Sequence, residues 1–252
     1  MINDEGRIIM KKIVLISAVI IMAFLGLSCS KGDTGLSGAQ GAAGPTGADG
    51  YLVMQFQDGN FPSSTYNGTK DTRIISGSSS INNYGACANL EFGYDVSKVW
   101  RVLIYFDVSA ISVSATVKSA YLTLYCYSAA GSVDAAVYKV TKNWTEGTGN
   151  CGGTANVNAS WDYYNGSSNA WTTPGGDYDI ATQSEVKTVT TTGHYTIKLN
   201  TQMVQEWVNN PSQNFGMIIK ALNETGGYLA NNDKTVANVS LRPKLTIYYI
   251  LP

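Results

Sequence analysis

The feature that most constrains the fold is a two-residue alternation of apolar and polar side chains in the segments 99–108 and 120–127. In 99–108, every even-numbered residue from 102 onward is apolar. In 120–127, Leu122, Leu124 and Cys126 alternate with tyrosines and a threonine. Successive side chains of a strand point to opposite faces of its sheet, so this pattern predicts strands with one buried face.

Eight further segments have strand-like patterns and are separated by turns rich in Gly, Asn and Ser. They are 52–56, 71–76, 89–94, 134–141, 185–191, 194–199, 215–222 and 244–250. Short strands at regular spacing are typical of antiparallel sheets. The predicted fold is therefore all-β, an antiparallel β-sandwich or jelly roll, and the roughly 200 residues of 51–252 suit a single domain of this kind.

One short helix is predicted after the strand 194–199. Asn200 can cap its first turn, and Pro211 follows its end. Between them lies an apolar stripe formed by Met203, Val204, Trp207 and Val208. We expect the helix to close one end of the fold, with Trp207 in the core.

The first 28 residues have the character of a secretory signal peptide. A basic pair at 11–12 precedes an apolar run over 13–27, which is shorter than the roughly 20 residues of a membrane-spanning helix. The sequence Leu-Gly-Leu-Ser-Cys at 25–29 resembles a bacterial lipobox and predicts lipidation of Cys29. We expect export to a bacterial membrane, facing the periplasm or the cell surface. The alternative for the apolar segment is a stable transmembrane anchor. The alternative for the start of the chain is Met10 in place of Met1.

Residues 29–50 form a separate segment in which every third residue from Gly32 to Gly50 is glycine. This is the collagen repeat, which needs glycine wherever three chains crowd one axis. Two interpretations stay open. The segment is either an extended spacer that displays the domain 51–252 or a stalk that joins three copies of the chain as a homotrimer.

The charge balance gives no indication of a nucleic-acid partner. The chain has 17 Lys and Arg against 18 Asp and Glu, and removing residues 1–28 takes away three basic and two acidic ones, which leaves a net charge of −2. Charge-driven binding to nucleic acid or anionic lipid requires an excess of Lys and Arg. We therefore expect no nucleic-acid partner. We expect the chain to contact the membrane through the lipid anchor.

Three cysteines remain besides Cys29. Cys126 alternates with leucines and is expected to be buried, whereas Cys87 and Cys151 both lie in Gly- and Asn-rich stretches. An exported chain meets oxidising surroundings, in which disulfides persist. We therefore predict a disulfide between Cys87 and Cys151 and a leftover thiol at Cys126.

Eight motifs follow one another along 83–249 in a recognisable order. They are N-Y-G at 83–85, R-V-L-I-Y-F-D-V at 101–108, S-A-Y-L-T-L-Y at 119–125, V-Y-K-V-T-K-N-W-T-E-G at 137–147, S-W-D-Y-Y-N at 160–165, W-T-T-P-G-G-D-Y-D at 171–179, W-V-N-N-P-S-Q-N-F-G at 207–216 and R-P-K-L-T-I-Y-Y at 242–249. This order resembles the DNRLRE domain, a group that overlaps family 96 of the carbohydrate-binding modules and the disaggregatase-related repeats. The resemblance implies a β-sandwich or jelly-roll module on a secreted protein, and polysaccharide binding as in some members.

The stretch 143–179 combines aromatic mass with little periodicity. Sugar binding needs flat aromatic faces for C–H packing and amides or carboxylates for hydroxyl groups. The candidate ligand contacts are the rings of Tyr163, Tyr164, Trp171 and Tyr178 and the polar groups of Glu146, Asp162 and Asn165. Trp144 and Trp161 are expected to anchor the stretch in the core, and the alternative for its acids is that they cap turns.

The sequence G-G-D-Y-D at 175–179 is a candidate calcium site. Asp177, Asp179 and nearby carbonyl groups could supply the several oxygens that a hard cation prefers. The spacing matches no EF-hand, and a plain Asp-rich turn is the alternative. No other cofactor is expected.

Catalysis is not expected from the residues available. The only histidine, His194, is expected on the outward face of its strand, with no nucleophile motif nearby. Polysaccharide binding without cleavage is the favoured function. A structural or adhesive surface head that trimerises through its stalk is the second hypothesis. A polysaccharide-depolymerising enzyme is the third, since glycosidases use two carboxyl groups and Glu146 and Asp162 could form such a pair.

Overall fold

The computed structural model of the chain describes residues 50–252. The predicted signal peptide, the lipidation site Cys29 and nearly all of the collagen-like segment lie outside the described residues. Within residues 50–252, no helix is long and apolar enough to cross a membrane.

Short antiparallel strands and one helix make up the described part of the chain. The strands are β1 Leu52–Phe56, β2 Thr69–Ile75, β3 Asn82–Asn83, β4 Asn89–Asp95, β5 Lys98–Phe106, β6 Thr116–Ala130, β7 Val133–Val140, β8 Thr154–Ala155, β9 Tyr178–Asp179, β10 Lys187–Val189, β11 Gly193–Lys198, β12 Met217–Ala221, β13 Tyr228–Asn232 and β14 Lys244–Ile250; the helix is α1 Thr201–Asn209. Single 3₁₀ turns lie at Gly77–Ser79, Ile180–Thr182, Pro211–Gln213 and Val239–Leu241. The all-β class with one short helix, predicted from the alternation, is confirmed.

The long strand β6 connects the layers of the sandwich. Its first part pairs with β14 on one side and β11 on the other, and its last part pairs with β13. The hydrogen-bonded order continues from β13 through β4, β5, β12 and β7 to β10, and β1 extends β14 at the other end. Side chains from β1, β6, β11 and β14 therefore meet side chains from β5, β7 and β12 in one main core.

The main core contains the residues that the alternation predicted. Val102, Ile104 and Phe106 of β5 face Leu122, Leu124 and Cys126 of β6 within it, and all six are buried. Cys126 is the free cysteine among residues 50–252, and burial raises the pKa of its thiol. This placement confirms which faces of the two strands are buried.

Helix α1 lies against the main core as its apolar stripe predicted. The Asn200 side chain accepts a hydrogen bond from the Met203 N–H at 3.1 Å and caps the first turn. Gln205 ties the helix to the start of β6 by accepting from the Val117 N–H at 2.7 Å. Trp207 is buried in the main core, as expected.

A second core lies on the opposite side of β5. It consists of Ile74, Leu103, Ala136, Tyr138, Val140, Trp144, Ala159, Trp171 and Ile218. Leu103 alternates with the main-core residues of β5, and Ile218 does the same in β12, so these strands are buried on both faces. The side chains that cover this outer face come from the stretch 143–179.

Candidate functional site

The irregular stretch 143–179, called the excursion below, covers the outer face of β2, β5, β12 and β7. It contains only the two-residue strands β8 and β9, so its shape depends on side-chain contacts with the sandwich. Trp144 is 1% exposed, and its indole N–H donates to the Phe215 carbonyl at 2.8 Å. A fully buried indole contributes roughly 4–6 kcal/mol by its area, as an upper estimate. Trp144 is therefore an anchor, as the sequence suggested.

The structure corrects the role expected for Trp171. Its ring is 4% exposed and belongs to the second core, and its indole N–H donates to the Ser160 carbonyl at 2.9 Å. A face buried in this way is not available to a ligand. Trp161, which was expected to lie in the core, only packs against it and is half-buried.

One buried amide holds the start of the excursion against β3. The Asn83 side chain donates to the carbonyls of Glu146 at 2.6 Å and Ala159 at 2.7 Å. It also accepts from the N–H groups of Gly149 at 2.8 Å and Gly85 at 3.2 Å. All hydrogen-bonding capacity of this amide is thus used, and three of its four partners belong to the excursion.

A disulfide fixes the same part of the excursion. Cys87 and Cys151 are bonded across a sequence separation of 64, with their Cα atoms 4.6 Å apart. Beside it, β3 pairs with β8. The Cys151 carbonyl accepts a hydrogen bond from the buried guanidinium of Arg73 at 3.3 Å. The pairing predicted from the Gly- and Asn-rich surroundings of the two cysteines is therefore present in the structure.

Glu146 is a structural link. One of its carboxylate oxygens accepts from the Asp71 N–H at 2.8 Å, and the other is 2.7 Å from the Lys234 ammonium. The Asp71 carboxyl in turn accepts from the Lys234 N–H at 2.8 Å. Burial, followed by the nearby carboxylate of Asp233, raises the pKa of Asp71 well above its usual value. The predicted ligand contact Glu146 thus already binds β2 and the segment after β13.

The predicted contacts of the S-W-D-Y-Y-N motif lie on a loop at 162–170. The Asp162 carboxylate accepts from the Ser80 hydroxyl at 2.7 Å, so this group is also engaged. Tyr163 and Tyr164 are half-buried, and the Tyr164 ring lies 5.6 Å from that of Trp171. Asn165 is exposed. The loop therefore offers two partly exposed rings and one exposed amide.

The two aspartates of G-G-D-Y-D stabilise turns. The Asp177 carboxylate accepts from the N–H groups of Thr172 at 2.9 Å and Thr173 at 3.0 Å. Partial burial acts to raise the pKa of Asp177, but these hydrogen bonds outweigh it and lower that pKa. Asp179 accepts from the Ala181 N–H at 3.0 Å. Across residues 50–252, no group of three or more His, Cys, Asp and Glu could hold a metal ion. Both carboxylates therefore accept hydrogen bonds from nearby backbone N–H groups, and calcium binding stays a prediction.

A cluster of charged and aromatic side chains lies where the excursion crosses β5 and β12. We call Arg101, Trp161, Tyr178, Lys220 and Glu224 the aromatic platform. The Arg101 guanidinium forms a two-pronged ion pair with Glu224, at 2.7 Å and 2.8 Å, and donates to the Gly175 carbonyl at 2.7 Å. The rings of Trp161 and Tyr178 lie 4.8 Å and 5.9 Å from it.

Sequence reasoning found only part of this platform. It named Tyr178, placed Trp161 in the core and did not consider Arg101, Lys220 or Glu224. Arg101 and Lys220 stand on the same strand faces as Leu103 and Ile218, which the second core covers. A charge on an otherwise apolar strand face was the signal that could have pointed to them.

Comparison with known proteins identifies the family of the chain. No curated protein matches it. The family model described as the disaggregatase related repeat domain matches residues 71–247, which span the sandwich from β2 to β14 and include the whole excursion. This confirms the disaggregatase-related part of the resemblance. The chain belongs to the disaggregatase related repeat domain family.

Proposed function

We propose that the domain binds an extracellular polysaccharide on the surface of the excursion and does not cleave it. The observation that carries this proposal is the aromatic platform, in which the half-buried rings of Trp161 and Tyr178 lie against one guanidinium held by three hydrogen bonds. Sugar rings present an apolar C–H face and polar edges, and such a ligand needs both kinds of contact.

The platform is held in place before a ligand arrives. Arg101 is fixed by Glu224 and by the Gly175 carbonyl, while Lys220 lies 3.7 Å from Glu224. Ordering rotamer-rich side chains costs roughly 0.5–1.5 kcal/mol each on binding, and a preorganised site avoids much of that cost. The rings of Tyr163 and Tyr164 and the amide of Asn165 extend the same surface in this proposal.

A non-catalytic role fits the placement of the acids. Glycoside cleavage requires one carboxyl group that can donate a proton and a second that acts as base or nucleophile. The carboxylates of Glu146 and Asp162 are engaged with Lys234 and Ser80, so neither supports the depolymerase hypothesis.

The proposal includes the display of this domain on a bacterial surface. Lipidated Cys29 would attach the chain to the membrane, and the glycine-rich segment would carry the domain. The strict glycine spacing also supports the second candidate function, a trimeric surface head. Loss of a trimer on deletion of residues 30–49 would support that candidate, and a monomer in both forms would remove it.

The experiment that tests the proposed function is a glycan array probed with the oxidised full-length chain. We expect retention on at least one polysaccharide, without release of reducing ends from it. Failure to bind any glycan of the array by a correctly folded protein would contradict the proposal. Release of reducing ends that disappears in Glu146→Gln would replace it with the depolymerase hypothesis.

A further inference from the structure

A cavity of about 320 Å³ opens between the end of β7, the C-terminal part of α1 and the 3₁₀ turn Pro211–Gln213. Eight residues line it, among them Lys139, Val140, Glu206, Trp207, Gln213 and Phe215. Its volume lies at the lower end of the roughly 300–1,000 Å³ of small-molecule pockets. A cavity of this size suits one small ligand unit. We call it the β7–α1 pocket.

The lining of the β7–α1 pocket combines apolar and polar groups. Val140, Trp207 and Phe215 supply apolar surface, and the other five side chains supply an ammonium, a carboxylate, a hydroxyl and two amides. Pockets that bind polyhydroxylated ligands need an aromatic or aliphatic surface and a few polar groups that fix orientation. This composition therefore matches a single sugar ring.

Trp207 forms part of the wall of this pocket. The residue is 2% exposed, and its indole N–H has no hydrogen-bond partner among the described residues. Trp144 and Trp171, by contrast, each donate to a backbone carbonyl. Among the described residues, the Trp207 indole N–H therefore differs from those of Trp144 and Trp171 in having no hydrogen-bond acceptor.

The charges around the pocket limit the kind of sugar. The Lys139 ammonium lies 2.6 Å from the Glu206 carboxylate and 3.7 Å from that of Asp179. Two carboxylates against one ammonium leave this corner with a net charge of −1. Because like charges repel, a uronic acid or a sulfated sugar is disfavoured relative to a neutral or amino sugar.

Strand β9 brings the pocket close to the aromatic platform. Tyr178 packs in the platform, and the next residue, Asp179, reaches Lys139 at the pocket. Successive side chains of a strand point in opposite directions, so the two sites lie on opposite sides of β9, at the edge of the sheet beside β7. A glycan chain that occupies both sites would have to pass over this edge.

We propose that the β7–α1 pocket binds one neutral or amino sugar unit, with its hydroxyl groups on Lys139, Glu206 and the rim amides. This inference rests on the proposed function for the origin of the sugar, as a unit of the bound polysaccharide. In this proposal the β7–α1 pocket is a second subsite besides the aromatic platform, and it selects against anionic sugar units.

The test is an NMR titration of the oxidised full-length chain with glucose, galactose, mannose, N-acetylglucosamine, glucosamine and glucuronate. The signal followed is the indole N–H of Trp207. We expect at least one of the neutral or amino sugars to shift it in a saturable way and glucuronate to leave it unchanged. No shift with any sugar of the panel, or a stronger effect of glucuronate, would overturn the proposal.

Two variants and a control make the assignment specific. Gln213→Trp places a large side chain at the rim. It should lower the affinity for the sugar that shifts the Trp207 signal by about tenfold or more, a loss of roughly 1.4 kcal/mol. Glu206→Gln removes the rim carboxylate and should reduce the discrimination against glucuronate. Glu185→Gln removes a carboxylate from an exposed ion pair with Lys198 elsewhere on the molecule and should change neither property. Equal affinity in the wild type and in Gln213→Trp would overturn the proposal.

Failure of the pocket can be distinguished from failure of the proposed function. If polysaccharide is retained and Trp207 does not respond to any sugar of the panel, the pocket proposal falls and the platform proposal stands. If Trp207 responds to a sugar but no polysaccharide of the array is retained, the polysaccharide proposal falls and the pocket remains a monosaccharide site.

Discussion

Single buried polar groups and glycines determine the shape of the excursion. Asn83 uses one amide to connect two motifs that are about 60 residues apart in sequence, and Gly175 leaves room for Arg101 to reach Trp161. Neither role can be derived from local sequence, because each depends on which backbone groups the fold brings together. The first three predictions concern such residues.

Replacing Asn83 with Ala should destabilise the fold strongly. The change leaves the carbonyls of Glu146 and Ala159 and the N–H of Gly149 without their partner, so we expect a loss of about 2–4 kcal/mol in the free energy of unfolding. Chemical denaturation measures this loss. The matched control is Asn165→Ala at an exposed position, with an expected change within about 0.5 kcal/mol. Similar values for the two variants would contradict the assigned role of Asn83.

Replacing Gly175 with Ala should disrupt the aromatic platform. Gly175 has φ +95°, and a Cβ there would lie 2.6 Å from an Arg101 nitrogen and 2.8 Å from the Trp161 ring. We expect a destabilisation of about 1–2 kcal/mol and loss of retention on the polysaccharide selected by the array. Gly166→Ala is the control, since Gly166 also has a positive φ but a Cβ there would have no atom within 4 Å. Retention that is lost in both variants would argue against a specific effect at the platform.

Asp71 should make the stability of the fold depend on pH. An acid whose pKa is raised by folding keeps its proton in the native state after the unfolded chain has lost it, so its contribution to stability is present below the reference pKa of 3.8 and is lost as pH rises. Asp71→Asn cannot ionise. The wild type should therefore be more stable relative to this variant at pH 4 than at pH 7. Denaturant titration measures this as the free energy of unfolding of the wild type minus that of the variant, which should be larger at pH 4. The opposite trend would mean that Asp71 is ionised and stabilised by Lys234.

At the scale of elements, the sequence predicts the regular strands better than the irregular parts. The alternation identifies the two faces of β5 and β6, and the Asn cap and apolar stripe identify α1. Strand β13 was missed because its sequence, Y-L-A-N-N, ends in two residues that are depleted in strands. Its Asn231 is buried and accepts from the Tyr195 hydroxyl at 2.9 Å, a contact between distant segments.

The burial of Trp171 could not be predicted for a related reason. Its neighbours in sequence are small or polar, and the second core in which it is buried includes strand residues far away in sequence, such as Leu103 and Ile218. The Cys87–Cys151 bond, by contrast, was predicted from the number of cysteines, their Gly- and Asn-rich surroundings and the expected export of the chain. Local patterns therefore predict the strands and the disulfide, whereas the packing of the excursion depends on the assembled sandwich.

The disulfide should contribute mainly to the order of the excursion. In the chain-entropy model, closing a loop of about this length stabilises the fold by about 4 kcal/mol. We expect the double variant Cys87→Ala and Cys151→Ala to lose about 2–4 kcal/mol and to exchange the amide hydrogens of 147–155 faster, as measured by hydrogen–deuterium exchange. The strands of the main core should keep their relative protection. Unchanged exchange at 147–155 would contradict this role of the disulfide.

At the scale of the whole described domain, the two outer faces of the sandwich differ. The face formed by β2, β5, β12 and β7 is covered by the excursion, which creates the second core and carries the aromatic platform. The outer face of β14, β6 and β11 carries paired side chains such as Tyr121 with Tyr248 and Thr123 with Thr196. Of these two described faces, the covered one combines aromatic rings with a fixed guanidinium, and for this reason we place the polysaccharide there.

The most direct test of this account is affinity electrophoresis of Trp161→Ala through gels that contain the polysaccharide selected by the array. Tyr248→Ala, which removes a half-buried ring from the opposite face, is the matched control. If the platform is the binding surface, Trp161→Ala should weaken binding by about tenfold, equivalent to roughly 1.4 kcal/mol, while Tyr248→Ala changes it less than about twofold. Equal retention of Trp161→Ala and the wild type, with the melting temperature unchanged, would contradict the central claim.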